Sequence, residues 1–234
     1  MPLAAAFFKV MLMTHQTDLT RNRLKTPRAA AIAGILFSIL ILVALLLLRF
    51  SVPAEDQTLN AGPYGGARTI GLALNLVPIA GVAFLWFIGV LRDRLGERED
   101  RLFATVFLGS GLLFLGMLFC AAAVAGVATM ALTARPQRPF NTDMFVVLHR
   151  LASDLMNVYA TKMAAVFMFS TSTVAVYTDF APRPIAILGY ILALLLLFGA
   201  QYITWSFLVF PLWVLLLSAY ILIDNLRPTW HTVK

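Results

Sequence analysis

Residues 148–178 read LHRLASDLMNVYATKMAAVFMFSTSTVAVYT. The second half has the composition of a membrane span, whereas the first half carries His149, Arg150, Asp154, Asn157 and Lys162. Either a charged site lies inside a bilayer, or a helix rises out of one. The rest of the chain settles the medium. Of 234 residues, 61% are hydrophobic and only 12% charged, against roughly 25% charged in an ordinary soluble domain. The apolar residues come in long runs without a 3.6 or 2.0 rhythm, and runs of about 18 or more read as transmembrane helices. The fold class expected is therefore all-α, a polytopic integral membrane protein.

Breaks rich in Gly, Pro and charge divide the chain into an N-terminal segment (1–28), a transmembrane domain (29–224) and a tail (225–234). Six spans are expected, at about 29–48, 69–91, 102–133, 144–178, 184–200 and 205–223. The last two come from one apolar block about twice the length of a span, interrupted only by GAQYITWS at 199–206. The opening MPLAAAFFKVMLMTHQ has no basic residues before its apolar part, the wrong order for a signal peptide. Met11 and Met13 are alternative starts. Lys and Arg favour N- and C-termini both on the cytoplasmic side, with an inside-to-outside bias of about three to one. The net charge of +7 sits mostly beside hydrophobic runs, where it sets orientation and meets anionic headgroups rather than nucleic acid. Trp86, Trp205, Trp213, Tyr202 and Trp230 mostly fall near expected span ends, the depth aromatic rings favour.

The stretch 144–178 makes a helix roughly 50 Å long at about 1.5 Å per residue, against a hydrocarbon core of about 30 Å. The polar residues lie in its outer part. Phe145, Leu148, Ala152, Leu155 and Tyr159 share one face at helical spacing, and Arg150, Asp154, Asn157 and Thr161 share another. The third span, also too long, carries its surplus at the same end. The two read as a helical hairpin projecting outward, tipped by RPQRP at 135–139. In the plainer reading its polar face meets water or headgroups. In the sharper one, His149, Arg150, Asp154, Asn157 and Lys162 line a polar outer vestibule, since ionisable residues at membrane depth are functional candidates. The polar stripe continues downward as Thr161, Ala164, Ala165, Met168 and Ser172, best read as close helix packing through small residues.

Other features point to no reaction. GSG at 109–111 invites comparison with intramembrane serine proteases. Ser110 nevertheless belongs near the inner end of span three and His149 near the outer end, too far apart for a base to serve a nucleophile. No catalytic set is assigned. One histidine near a span is too few for haem, no cluster has metal-ligand spacing, and Cys120 is the single cysteine, so no cofactor or metal is expected. Pro78 and Pro211 lie inside spans, where each removes a helical hydrogen bond and suggests a kink. Asn75, three residues before Pro78, is placed to serve freed backbone groups. RDRLGEREDR at 92–101 reads as a solvated loop.

TPRAAAIAGILFSILI near the start, MAAVFMFSTSTVAVYTDFAPRPIAILGY at the exit of span four and FPLWVLLLSAYIL near the end resemble a domain-of-unknown-function family of bacterial multi-pass proteins, found especially in actinobacteria. The similarity covers most of residues 27–224. It implies a bacterial cell membrane and transfers no site residue. The function expected is non-enzymatic, exercised through self-association or other membrane subunits. Its motive is AAAVAGVATMAL at 121–132, apolar surface beyond the core that asks for a cover. The alternative is a small-solute channel or transporter opening at the polar vestibule.

Overall fold

A computed structural model of the chain describes residues 26–51, 67–95, 101–133, 142–178, 181–202 and 205–226. Residues 1–25 of the N-terminal segment, the loop at 52–66, residues 96–100 of the charge cluster, the hairpin tip at 134–141, residues 179–180 and 203–204 and the tail from 227 lie outside the described residues. So do most of the cations behind the expected orientation.

All the regular structure described is helical. α1 spans Thr26–Ser51, α2 Ala67–Leu95 and α3 Arg101–Thr133. α4 spans Thr142–Asp154 and runs through a six-residue π-turn, Leu155–Ala160, into α5, Thr161–Thr178. α6 covers Arg183–Gly199 and ends in a short 3₁₀ turn, Ala200–Tyr202; α7 covers Ser206–Leu226. Pro182, extended at the N-cap, and Pro184 in the first turn set where α6 begins, since proline fits the start of a helix but not its middle. Among the described residues, four segments are long and apolar enough to cross a membrane: Ala29–Leu48, Arg68–Arg92, Ala104–Thr129 and Ser206–Asp224. α6 is apolar but shorter.

α1 packs between α2 and α7, and α2 passes the contact on to α3. α3 lies along α4, the π-turn and α5, so the two long rods form a hairpin packed over its whole length. α7 closes the ring against α5, while α6 sits outside, mainly on α5. The centre of the ring is phenylalanine. Phe37, Phe84, Phe87, Phe107, Phe114, Phe167 and Phe210 come from five helices and are all buried. Phe84 is the hub, with ring centroids 4.6 Å from Phe37, 5.2 Å from Phe167, 5.4 Å from Phe114 and 5.7 Å from Phe210. Most of these pairs are tilted or edge-on, the arrangement favoured by aromatic quadrupoles.

α6 docks through small residues, with Ala186, Gly189 and Ala193 buried. A Cβ on Gly189 would overlap the Ser172 hydroxyl of α5 and stand 3.0 Å from the Trp213 Nε1 of α7. Trp213, grouped by sequence with the aromatic residues that mostly mark span ends, is buried at this three-helix junction. Close approach of backbones drives helix association where lipid removes the hydrophobic force. Gly189→Ala is therefore expected to lower stability by about 1–3 kcal/mol through overpacking. Ser172→Gly in the same chain should restore most of it by making room. Thermal unfolding in detergent, followed by size-exclusion of the fluorescent-tagged protein, checks both; equal losses in single and double variants would contradict the contact.

Candidate functional site

The part of the molecule that departs most from regular helix is the junction of α4 and α5. A π-turn adds one residue to the helical path and often marks a functional site. Here it decides which side chains face inward. One extra residue turns everything beyond it by about 100° relative to a continuous α-helix. The sequence pattern, read as one uninterrupted helix, put Arg150, Asp154, Asn157 and Thr161 on a common face. In the structure Arg150 and Asp154 are exposed, Asn157 is half-buried and Thr161 is buried. The apolar stripe breaks at the same place: Phe145 and Ala152 are buried, Leu155 is half-buried, and Tyr159 is exposed. Below the turn, Thr161, Ala164, Ala165, Met168 and Ser172 form the buried face of α5, as small-residue packing requires.

The five residues of the expected vestibule are placed separately. His149 is half-buried with its ring stacked on Phe145 at 5.7 Å. The Asn157 side-chain amide donates to the Ser153 hydroxyl at 2.9 Å, one turn back. Arg150, Asp154 and Lys162 are exposed on the surface of the rod. None of the five borders the interior space beside the π-turn.

That space is lined by Ile41 and Leu45 of α1, Phe114 of α3, Met156 and Ala160 of the π-turn, Thr161 and Ala164 of α5, and Ser206, Phe207, Phe210 and Pro211 of α7. It offers about 10 Å³ to the centre of a water-sized sphere, room for about one water molecule. Two interruptions of helical bonding meet across it. The Thr161 hydroxyl donates to the Met156 carbonyl, five residues back, at 3.0 Å. On the other side, Pro211 has no N–H, so the Phe207 carbonyl lacks its usual intrahelical donor. Thr161→Val removes the bond across the π-turn and is expected to cost about 0.5–1.5 kcal/mol. The fall in thermal midpoint in detergent measures it, and an unchanged midpoint would show that the hydroxyl contributes nothing.

No protein family, curated protein or solved structure matches this chain.

Several residues singled out by sequence take plain structural roles. Ser110 is buried and donates to the Phe107 carbonyl at 3.1 Å. A Cβ on neighbouring Gly111 would stand 2.7 Å from Ile88 and 3.1 Å from the Phe167 ring, so GSG gives room to an aromatic core residue. Pro78 and Pro211 lie inside continuous helices. Asn75 does not serve the carbonyl freed by Pro78, which is that of Leu74; its amide donates instead to the Gly71 carbonyl at 2.9 Å. The STST run, 170–173, is buried throughout. Ser170, Thr171 and Thr173 bond back to their own helix, and the Tyr190 hydroxyl of α6 donates to Thr173 at 2.8 Å. Ser172, Trp213 Nε1 and Ser218 are buried with no hydrogen-bond partner among the described residues. No sequence signal marks this trio, because a hydroxyl or indole N–H in an apolar run looks the same whether it faces a carbonyl or a side chain that cannot pair with it.

Proposed function

We propose that the chain is a six-span protein of a bacterial cell membrane that works through association, with a second copy or another membrane subunit. In this reading α5 and α6 complete the four long apolar segments, both termini lie on the cytoplasmic side, and the α3/α4 hairpin projects outward. The bias of Lys and Arg supports the orientation, and the sequence resemblance supports the bacterial setting. The observation that carries the reading is the phenylalanine centre. Seven buried rings from five helices occupy the place where a solute path would run. The work of the protein then falls to its outer surface. Beyond the π-turn, Met144, Val147 and Leu151 stand exposed on α4 at spacings of three and four, an apolar stripe that invites a cover. Ala121 and Ala128 of α3 are already buried within the chain, but Val127 beside them is 57% exposed.

The alternative, a channel or transporter with a vestibule at His149, Arg150, Asp154, Asn157 and Lys162, calls for those groups to converge on an enclosed space. Three of them are exposed, and none lines the interior space. Reconstitution separates the two readings. Association predicts a mass in nanodiscs above that of one chain, or a stoichiometric companion after mild purification, together with liposomes no leakier than empty ones. A lone monomer without a companion would end the proposal, and saturable solute flux would favour the alternative.

A further inference from the structure

α2 turns a narrow seam to the outside of the bundle. Gly71, Asn75, Pro78, Val82 and Gly89 fall within one arc at helical spacing, and the last four of them are exposed. Ile79, Leu85 and Trp86, also exposed, flank it. The segment Arg68–Arg92 is one of the four fit to cross a membrane, so this face meets lipid. Asn75 lies about 10 Å along the helix from Arg68 and about 25 Å from Arg92, inside a hydrocarbon layer about 30 Å thick.

A polar side chain at that depth needs partners that hydrocarbon does not supply. The Asn75 amide donates one N–H to the Gly71 carbonyl at 2.9 Å. Its second N–H and its carbonyl oxygen have no partner among the described residues. A Cβ added at Gly71 or Gly89 would meet nothing within 4 Å, so the backbone at both ends of the seam is bare and open to close approach by another helix. Between Thr69 and Leu91 the helix carries no charge that would repel a copy of itself.

We infer that this seam is the contact between two copies of the chain, with the two Asn75 amides paired across a two-fold axis. A primary amide is both donor and acceptor, so it is complementary in partial charge to its own copy in an isologous contact. An acyl chain offers neither donor nor acceptor. The inference rests on the association reading and gives it a location.

Cross-linking of the full chain in nanodiscs tests it. In a Cys120→Ala background, Val82→Cys, which lies in the seam and keeps Asn75, is expected to give a disulfide-linked dimer under mild oxidation. Ile191→Cys, exposed on the far-side helix α6, is expected to give none. Asn75→Leu should raise the dimer dissociation constant about 5- to 30-fold, as for loss of about 1–2 kcal/mol from an interhelical polar contact, and Asn75→Gln should recover most of that. A wild-type dimer indifferent to Asn75→Leu, or cross-linked at 191 and not at 82, overturns the seam and leaves association standing. A wild-type chain that is monomeric at every lipid ratio overturns the seam, and one that also copurifies with no companion overturns both. The Leu variant faces lipid, and an unchanged thermal midpoint of its monomer shows that any loss of dimer is not a loss of folding.

Discussion

Phe84→Ala is expected to be the most damaging single substitution in the bundle. The Phe84 ring lies within aromatic contact of Phe37, Phe87, Phe114, Phe167 and Phe210, so its removal leaves a void touched by all five helices of the ring. Phe→Ala in a packed core costs about 3–5 kcal/mol. In lipid the loss comes from packing contacts rather than from transfer to water, because the unfolded reference is itself apolar. The void cannot close easily, since Ala80 and Ala83 beside it are already small and buried. The expected result is a collapse of the monodisperse peak in mild detergent well below the wild-type midpoint, with Phe84→Leu intermediate. Trp86→Ala on the same helix is the control: that side chain is 69% exposed, and its loss should leave the core intact. Equal stability of the Phe84→Ala and Trp86→Ala variants would mean that the aromatic cluster does not hold the bundle together.

Inserting one alanine after Asp154 is expected to act as strongly, by a different route. The π-turn already absorbs one extra residue, so a second one turns α4 by about 100° relative to α5. Phe145 and Ala152 would swing away from α3, and Arg150 would turn toward it. Exposing a buried Phe side chain costs about 1.5–3 kcal/mol, and burying charge against that helix costs more. Thiol labelling reports the rotation directly. In a Cys120→Ser background, a cysteine at 150 should label quickly in the wild-type register and slowly after the insertion, and a cysteine at 145 the reverse. Deleting Asn157 instead leaves an ordinary α-helix with both faces kept, and labelling at both positions should stay as in the wild type. Unchanged labelling after the insertion would show that the turn does not set the register. Replacing Asn157 by alanine keeps the residue count and is expected to cost only its bond to Ser153, about 1 kcal/mol.

Ser172→Ala carries a prediction of opposite sign. The hydroxyl is fully buried and without a partner among the described residues, so its removal forfeits no hydrogen bond and relieves a desolvation cost of about 1–3 kcal/mol. The variant should be as stable as wild type or more so. A clear destabilisation would indicate a bond formed with Trp213 Nε1, which borders the same glycine.

Composition and run length alone determined that the medium is lipid and that the chain is helical, because a bilayer tolerates no unpaired backbone and leaves helix as the solution for long apolar runs. The breaks were legible for a similar reason: charged and polar side chains are costly in hydrocarbon, so they cluster where spans end, as at Arg183 and in the polar interruption at 199–206. Which faces point inward was not legible. In a soluble helix the polar side reveals the buried one by contrast; here lipid and core are equally apolar, and Phe84 and Leu85 look alike by hydropathy though one is buried and the other exposed. The register of residues 144–178 was misread for one further reason, that a 3.6-residue period assumes uninterrupted α-helix, whereas residues 155–160, packed mainly on α3, form a π-turn. Packing against neighbours selects that turn, and no local signal in LMNVYA announces it.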